Sequence, residues 1–393
     1  MAETIIFQSL PSRPAPVNTE GLVPWVKNNL FANWQSSIVT IVVGAFLLYY
    51  VPQLINWAVI TATTVANADA CRVEGVGACW GVIREKYRLI IFGRYPFEEQ
   101  WRPLVATLLM VGLLIMSCTR MFWKTWLIGA WVLVLAAFFA LMYGGVGGLS
   151  VVQTDRWGGL PLTIMLATLS IVLCFPIAIG VALGRRSRLP AIKTFCTIYV
   201  ELIRGVPLIS VLFMASFMFP LFMPQGVTID VLIRVLVGIT LFAAAYMAEV
   251  IRGGLQAMPK GQDEAAASLG LSYWQTQFKI ILPQAQSEAA QSLGLGYWKT
   301  HALVMLPQAL QAVLPSLVNS FIGNFKDCSL VTIVSLYELT GALSLALGGD
   351  VVWRPFFLEG YLFVAFIYWL FCFGMSRYSL RVERRLAHGL VRN

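Results

Sequence analysis

Long apolar runs alternate with short polar ones along this chain. A helix needs about 20 apolar residues to cross the roughly 30 Å of bilayer hydrocarbon. Runs of that order predict spanning helices over 37–60, 103–119, 123–143, 160–183, 197–221, 229–251, 310–334 and 356–378. The pattern is that of an all-α polytopic membrane protein with about eight transmembrane helices. The polar start carries Pro11, Pro14 and Pro16 and leads into a predicted interfacial helix near Val23–Phe31. It has no charged-then-apolar stretch with a small-residue cleavage site, so no cleaved signal peptide is expected.

The polar intervals suggest the organisation. A Gly-rich loop over 144–159 sets off an N-terminal extension, 1–150, with about three spans and a polar segment at 61–102. The remainder, 151–393, holds about five spans, interrupted by the longest polar segment, 252–309. Pro207 is expected to bend the helix predicted over 197–221.

Composition agrees with this reading. Of 393 residues, 58% are hydrophobic and only 12% charged, against roughly 25% charged in an average soluble domain. The net charge of +9 is spread between apolar segments rather than gathered in a long run, which argues for membrane topology and against nucleic-acid binding. With only His301 and His388, a His-rich metal site is excluded, and no phosphate-binding G-x-x-x-x-G-K-[ST] loop occurs. Any ATP must therefore be bound by another chain.

Basic residues in short loops mark the cytoplasmic side. Arg185, Arg186 and Arg188 form one cluster, Arg252 and Lys260 a second, and the tail with Arg377, Arg381, Arg384, Arg385 and Arg392 a third. All fall on one side with Arg120 and Lys124, which predicts both termini in the cytoplasm and segment 61–102 outside. Of seven cysteines, five lie in or beside apolar stretches and read as small core residues. Cys71 and Cys79 are close together in the outer polar segment; they form a possible disulfide if it faces an oxidising compartment, and the sequence leaves both states open.

The 252–309 segment contains a tandem duplication. Residues 262–285 and 286–309 are identical at 15 of 24 aligned positions, which chance does not produce. Each copy reads as a short amphipathic helix with a stop. Glu264 suits the positive helix start, Ala265, Ala266 and Leu269 share a face, and Gly270 is placed to cap the end. Glu288, Ala289, Ala290, Leu293 and Gly294 repeat the pattern. An ordinary surface helix would satisfy the same rules.

Glu264-Ala265-Ala266, three residues, Gly270, nine residues and Ile280-x-Leu282-Pro283 resemble the signature of bacterial ABC importer permeases. The second copy resembles it too, with Val304 in the isoleucine position before Leu306-Pro307. In that family the loop, here 259–309, is a coupling helix that docks on a cytoplasmic ATPase, and one loop per permease is the rule. Tyr199–Leu208, Ala248–Gly254 and Asn319–Leu330 resemble the polar amino acid permeases over about 155–385. Ala70–Trp80, Gly93-Arg94-Tyr95-Pro96 and Trp101-Arg102 resemble the long permeases (M or C type) of general L-amino acid importers. The resemblance implies the type I importer permease fold in a bacterial inner membrane. It also implies a related permease chain as heterodimer partner, an ATPase dimer carrying ATP and Mg, and a periplasmic amino acid-binding protein. No cofactor or metal is expected on this chain, which is expected to be a transport subunit, not an enzyme.

Charged residues inside spans each cost about 2.5–3.5 kcal/mol on insertion scales, so they are usually paired or functional. Glu201 and Arg204 lie three apart on one helix face and are expected to pair with each other. Glu249 sits near a helix end within reach of Arg252. Asn319, Lys326, Asp327 and Ser329 are candidates for a polar path carrying a zwitterion, with Glu201, Arg204 and Glu249 as further candidates; structural ion pairs are the competing reading. The leading function is a permease subunit of an ATP-driven importer for L-amino acids. The alternative is an ion-coupled secondary amino acid transporter, which has no use for two Glu-Ala-Ala loops. Since one ATPase groove serves each permease, only one copy is expected to dock. Crosslinking to the ATPase from cysteines introduced at Ala266 and Ala290 should be strong from one position and weak from the other; equal yields in the same complex would contradict single docking.

Overall fold

The structure is a computed structural model that describes residues 21–187, 189–256 and 306–391. The repeated segment with Glu264, Ala265, Ala266, Gly270, Glu288, Ala289, Ala290 and Gly294 lies outside the described residues, as do Arg188, Lys260 and Arg392. The described chain is helical, and its only extended pairings are two isolated bridges. Six described helices are long and apolar enough to span a membrane, or seven with one bent pair. The chain forms two compact units, Met1–Gly81 and Val82–Asn393.

In the first unit, α1 (Leu22–Leu30) is short and exposed, in keeping with the predicted interfacial helix. Helix α2 (Trp34–Ile55) continues into a wider turn at Asn56–Ile60 and buries none of its residues. A small knot of chain closes its end. Ala78 N donates to Trp57 O at 2.8 Å, Thr63 N to Ala78 O at 2.9 Å, and the Trp80 indole to Ala58 O at 2.8 Å. Cys71 and Cys79 are joined by a disulfide with their Cα atoms 5.5 Å apart. Gly77 is required here, because a Cβ would stand 2.3 Å from the Trp57 carbonyl oxygen.

In the second unit, α3 (Gly81–Phe92) precedes two apolar helices, α4 (Trp101–Ser117) and α5 (Trp126–Tyr143), which pack on each other. They are followed by α6 (Gly159–Arg185), then α7 (Pro190–Gly205) and α8 (Leu208–Phe213). The α7 and α8 segments meet at a 106° bend. The break falls at Val206-Pro207, where Pro207 has extended backbone and starts α8, so the bend expected from this proline is present. Helix α9 (Val231–Gln256) packs along α6 as the central pair of the core. After the undescribed segment come α10 (Leu306–Asp327), a 3₁₀ stretch at Cys328–Val334, α11 (Leu339–Gly348) and the long α12 (Phe357–Val391). Helix α10 is long enough for a span but is not among the apolar ones. It carries Gln308, Gln311, Asn319, Asn324, Lys326 and Asp327, which suits a helix buried among others better than one facing lipid.

The expected division at residue 150 does not coincide with the compact units. Met110 of α4 and Phe138 and Met142 of α5 share one core with Leu162, Met165 and Leu166 of α6, so these helices join the larger unit. A buried arginine fastens them. Arg102, 1% exposed, donates to Leu141 O (2.7 Å) and Ser150 O (3.0 Å) and pairs with Glu99 at 2.5 Å. Tyr95 adds a hydroxyl bond to Met142 O at 3.0 Å. Gly93, with φ 62°, lets α3 end against Gly158, where a Cβ would stand 2.6 Å from the Gly158 Cα. Lys86 of α3 pairs with Asp350, beyond α11, at 2.7 Å. That hydrogen bond holds the Asp350 carboxyl below its ordinary range. The attraction is therefore present at and above the ordinary carboxylate pKa and lost only as pH falls through the lowered value.

Replacing Arg102 by Met removes its bonds to Glu99 and to the Leu141 and Ser150 carbonyls and leaves the Glu99 charge without its cation. We expect destabilisation of about 3 kcal/mol, read as a lower melting temperature of the purified protein. Protease cutting should concentrate in the 144–152 loop.

Candidate functional site

Two polar features sit among the core helices. The first is a cavity of about 430 Å³ beside the middles of α6 and α9 and the C-terminal half of α10. Its polar lining is Asn319, Ser320, Asn324 and Asp327, and its apolar wall includes Leu208, Phe242 and Tyr246. The i, i+4, i+8 spacing of Asn319, Gly323 and Asp327 puts them on one face of α10, with Ser320 and Asn324 beside them. Small Gly323 keeps the space open. Asn324 is buried, and its amide donates to Ser170 Oγ at 2.8 Å, which fixes α10 against α6.

Asp327 is the last residue of α10, where the helix end carries partial negative charge. That end of the cavity favours a cation, and the Asn and Ser groups offer donors and acceptors to a neutral or anionic group. Of the residues singled out from sequence, Asn319 and Asp327 meet here. Lys326 is exposed and Ser329 lies in the 3₁₀ stretch; neither lines the cavity. Sequence reading missed Ser320, Asn324 and Tyr246, although the helical spacing of the α10 residues was available as a signal.

The second feature is a cluster of ion pairs joining α6, α7 and α9. Glu249 of α9 accepts from Arg185 of α6 at 2.6 Å, is held by Arg252 one turn on, and lies 3.9 Å from Arg204 of α7. Glu201 pairs with Arg185 at 3.1 Å. This corrects the expected Glu201–Arg204 pair. Arg204 instead reaches Glu249 and lies over the Tyr246 ring, 5.6 Å from its centroid. Same-face spacing allowed the local pair, but packing of α7 on α6 and α9 supplied each side chain with a partner on another helix. The Glu249–Arg252 pair is the local one that forms.

A helical chain with apolar helices long enough to span, one broken span, and a polar cavity and ion-pair cluster among its core helices has the architecture of a multi-pass membrane protein. Residues 175–287 and 283–388 match the family described as binding-protein-dependent transport system inner membrane component. The chain belongs to that family and is a multi-pass inner membrane protein. It is 44% identical over 392 residues to the inner membrane amino-acid ABC transporter permease protein YhdY of Escherichia coli (strain K12), covering 98% of this chain and 99% of that one. It is 33% identical over 444 residues to the glutamate/glutamine/aspartate/asparagine transport system permease protein BztC of Rhodobacter capsulatus, covering 96% and 97%. Among solved structures it is similar to an amino acid ABC transporter crystallised with histidines, at 28% identity over 58% of this chain and 92% of that one, with a TM-score of 0.46.

Glu249 is the one carboxylate that three arginines share. Changing it to Gln should destabilise the protein by about 2 kcal/mol. Adding Arg185→Met should recover part of that loss, a coupling that a double-mutant cycle of melting curves will measure.

Proposed function

We propose that this chain is a permease subunit of an ATP-driven ABC importer for L-amino acids and forms half of the pathway beside a related permease chain. The observation that carries the substrate class is the cavity at the middle of α6 and α9. An amino acid needs a negative end for its ammonium and a hydrogen-bond donor for its carboxylate, and Asp327 with the Asn319 amide offers both. Full-length similarity to amino-acid permeases supports the same class.

The rest of the machine follows from the resemblance of the duplicated loop to a coupling helix. A cytoplasmic ATPase dimer would bind ATP and Mg, and this chain would carry no cofactor. A periplasmic binding protein would deliver substrate to the face holding segment 61–102, with both termini in the cytoplasm. ATP binding, by favouring one conformation of the permease pair, would bias access between the two sides. In this scheme Glu201, Arg204 and Glu249 hold helices together near the cytoplasmic end of the path, and Lys326 and Ser329, which do not line the cavity, make no contact with substrate there.

The decisive experiment is uptake by liposomes holding the chain copurified with its partner subunits. Uptake is expected to require ATP and to stop with vanadate; uptake driven by an ion gradient alone would support the secondary-transporter reading. In the same assay Asp327→Asn should raise the substrate KM about tenfold while basal ATPase activity persists. An unchanged KM would remove Asp327 from the site.

A further inference from the structure

A second cavity, of about 410 Å³, lies where α5 ends and α9 begins. Phe139 and Tyr143 of α5, Trp157 just before α6, Thr154 and Asp230 line it. Nothing in the transport path described above uses it. Trp157 is buried and fixed by its indole bond to Val152 O at 3.2 Å, and its ring lies 6.2 Å from that of Phe139. Asp230 accepts from Leu232 N at 2.7 Å and from the Thr154 hydroxyl. Both donors are neutral, and no Lys or Arg among the described residues forms an ion pair with this carboxylate. The carboxylate is exposed and stands just before α9, where the positive helix start favours its charge, beside a largely aromatic wall.

We propose that this cavity binds an organic ammonium group, with Asp230 as its counter-ion and the Phe139, Tyr143 and Trp157 rings as its walls. Aromatic faces attract cations, and a carboxylate gives an ammonium a charge-assisted hydrogen bond. A divalent metal fits poorly, because Ca²⁺ and Mg²⁺ take at least six oxygen ligands and Asp230 and Thr154 are the oxygen-bearing side chains here apart from the Tyr143 phenol. The site sits at the ends of two helices long and apolar enough to span a membrane, and the ends of spanning helices are where headgroups meet hydrocarbon. Phe139 and Ile233 at its mouth are 39% and 54% exposed, so it opens on the surface of the helix bundle. A phosphatidylethanolamine headgroup and a small soluble amine share the required chemistry.

The test uses the full chain copurified with its partner subunits in lipid nanodiscs. In discs mixing phosphatidylethanolamine and phosphatidylglycerol, native mass spectrometry counts the lipids retained. In discs of phosphatidylglycerol alone, calorimetry follows ethanolamine binding. Asp230→Asn keeps an oxygen to accept from Leu232 N and presents its amide as a donor to the Thr154 hydroxyl, but loses the charge, and should lower ammonium binding about tenfold. Tyr143→Leu should weaken it without touching the Asp230 bonds, and carries the comparison if the Asn variant fails to assemble. Loss of retained phosphatidylethanolamine in the variants identifies a lipid ligand. Loss of ethanolamine binding without any lipid preference identifies a soluble one. Equal binding by the wild type and both variants, or no ammonium binding in either disc, overturns the proposal.

Discussion

One buried carboxylate organises the larger unit. Glu338 is fully buried and caps the start of α11, accepting from Thr340 N at 2.9 Å and Gly341 N at 3.0 Å. It also accepts from Thr332 in the 3₁₀ stretch at 3.1 Å and from Tyr368 of α12 at 2.7 Å. Thr163 of α6 donates to its other face at 3.4 Å and itself accepts from Leu339 N at 3.1 Å. A carboxylate withdrawn from water is tolerated only when its lone pairs are occupied, and here the donors come from four different segments. The position of α11 and α12 against α6, and with it the location of the α10 end that carries Asp327, depends on that one group finding all its donors.

Apolar surroundings make such polar ties specific. Inside lipid, helices gain little from burying apolar surface against one another, so packing and hydrogen bonds choose the neighbours. The Arg102 ties to Leu141, Ser150 and Glu99, the Asn324 bond to Ser170 and the Glu249 cluster act in this way at three levels of the bundle. Between them, close contacts of small residues do the rest, as at Gly159, whose N–H donates to Tyr337 O at 2.9 Å beside the end of α3.

What could be read from the sequence follows the same division. Apolar helices, the short α1 and the break at Pro207 are local properties of apolar length and proline geometry, and they were legible. Helix α10 was legible as an element, and Asn319 and Asp327 as candidates, because polar residues in an apolar helix stand out. Glu338 was not legible, since its value lies in donors such as Thr163, 175 residues away in the chain. The same reason hid the true partner of Glu201. A three-residue spacing fixed which side chains shared a helix face, but it carried no information on what α6 would bring to that face. The compact units divide elsewhere than the Gly-rich loop near residue 150, because their membership follows what α4 and α5 bury.

The cavity and the ion-pair cluster are joined through two side chains. Tyr246 lines the cavity and lies under Arg204, whose guanidinium also reaches Glu249. Arg204 belongs to α7, and Tyr246 and Glu249 to α9. Any movement that parts α7 from α9 must therefore strip Arg204 from Glu249 and uncover one wall of the cavity in the same step. Glu249 would keep Arg185 and Arg252, so its charge would stay compensated and the movement would sacrifice only the longest contact of the cluster, at 3.9 Å. A cluster with three cations around one carboxylate is suited to that use, because Glu249 stays paired when one partner leaves, and the one that leaves, Arg204, is the most exposed of the three at 37% and can be solvated. The redundancy that looks wasteful as a static ion pair is what allows the helices beside the cavity to separate at small cost.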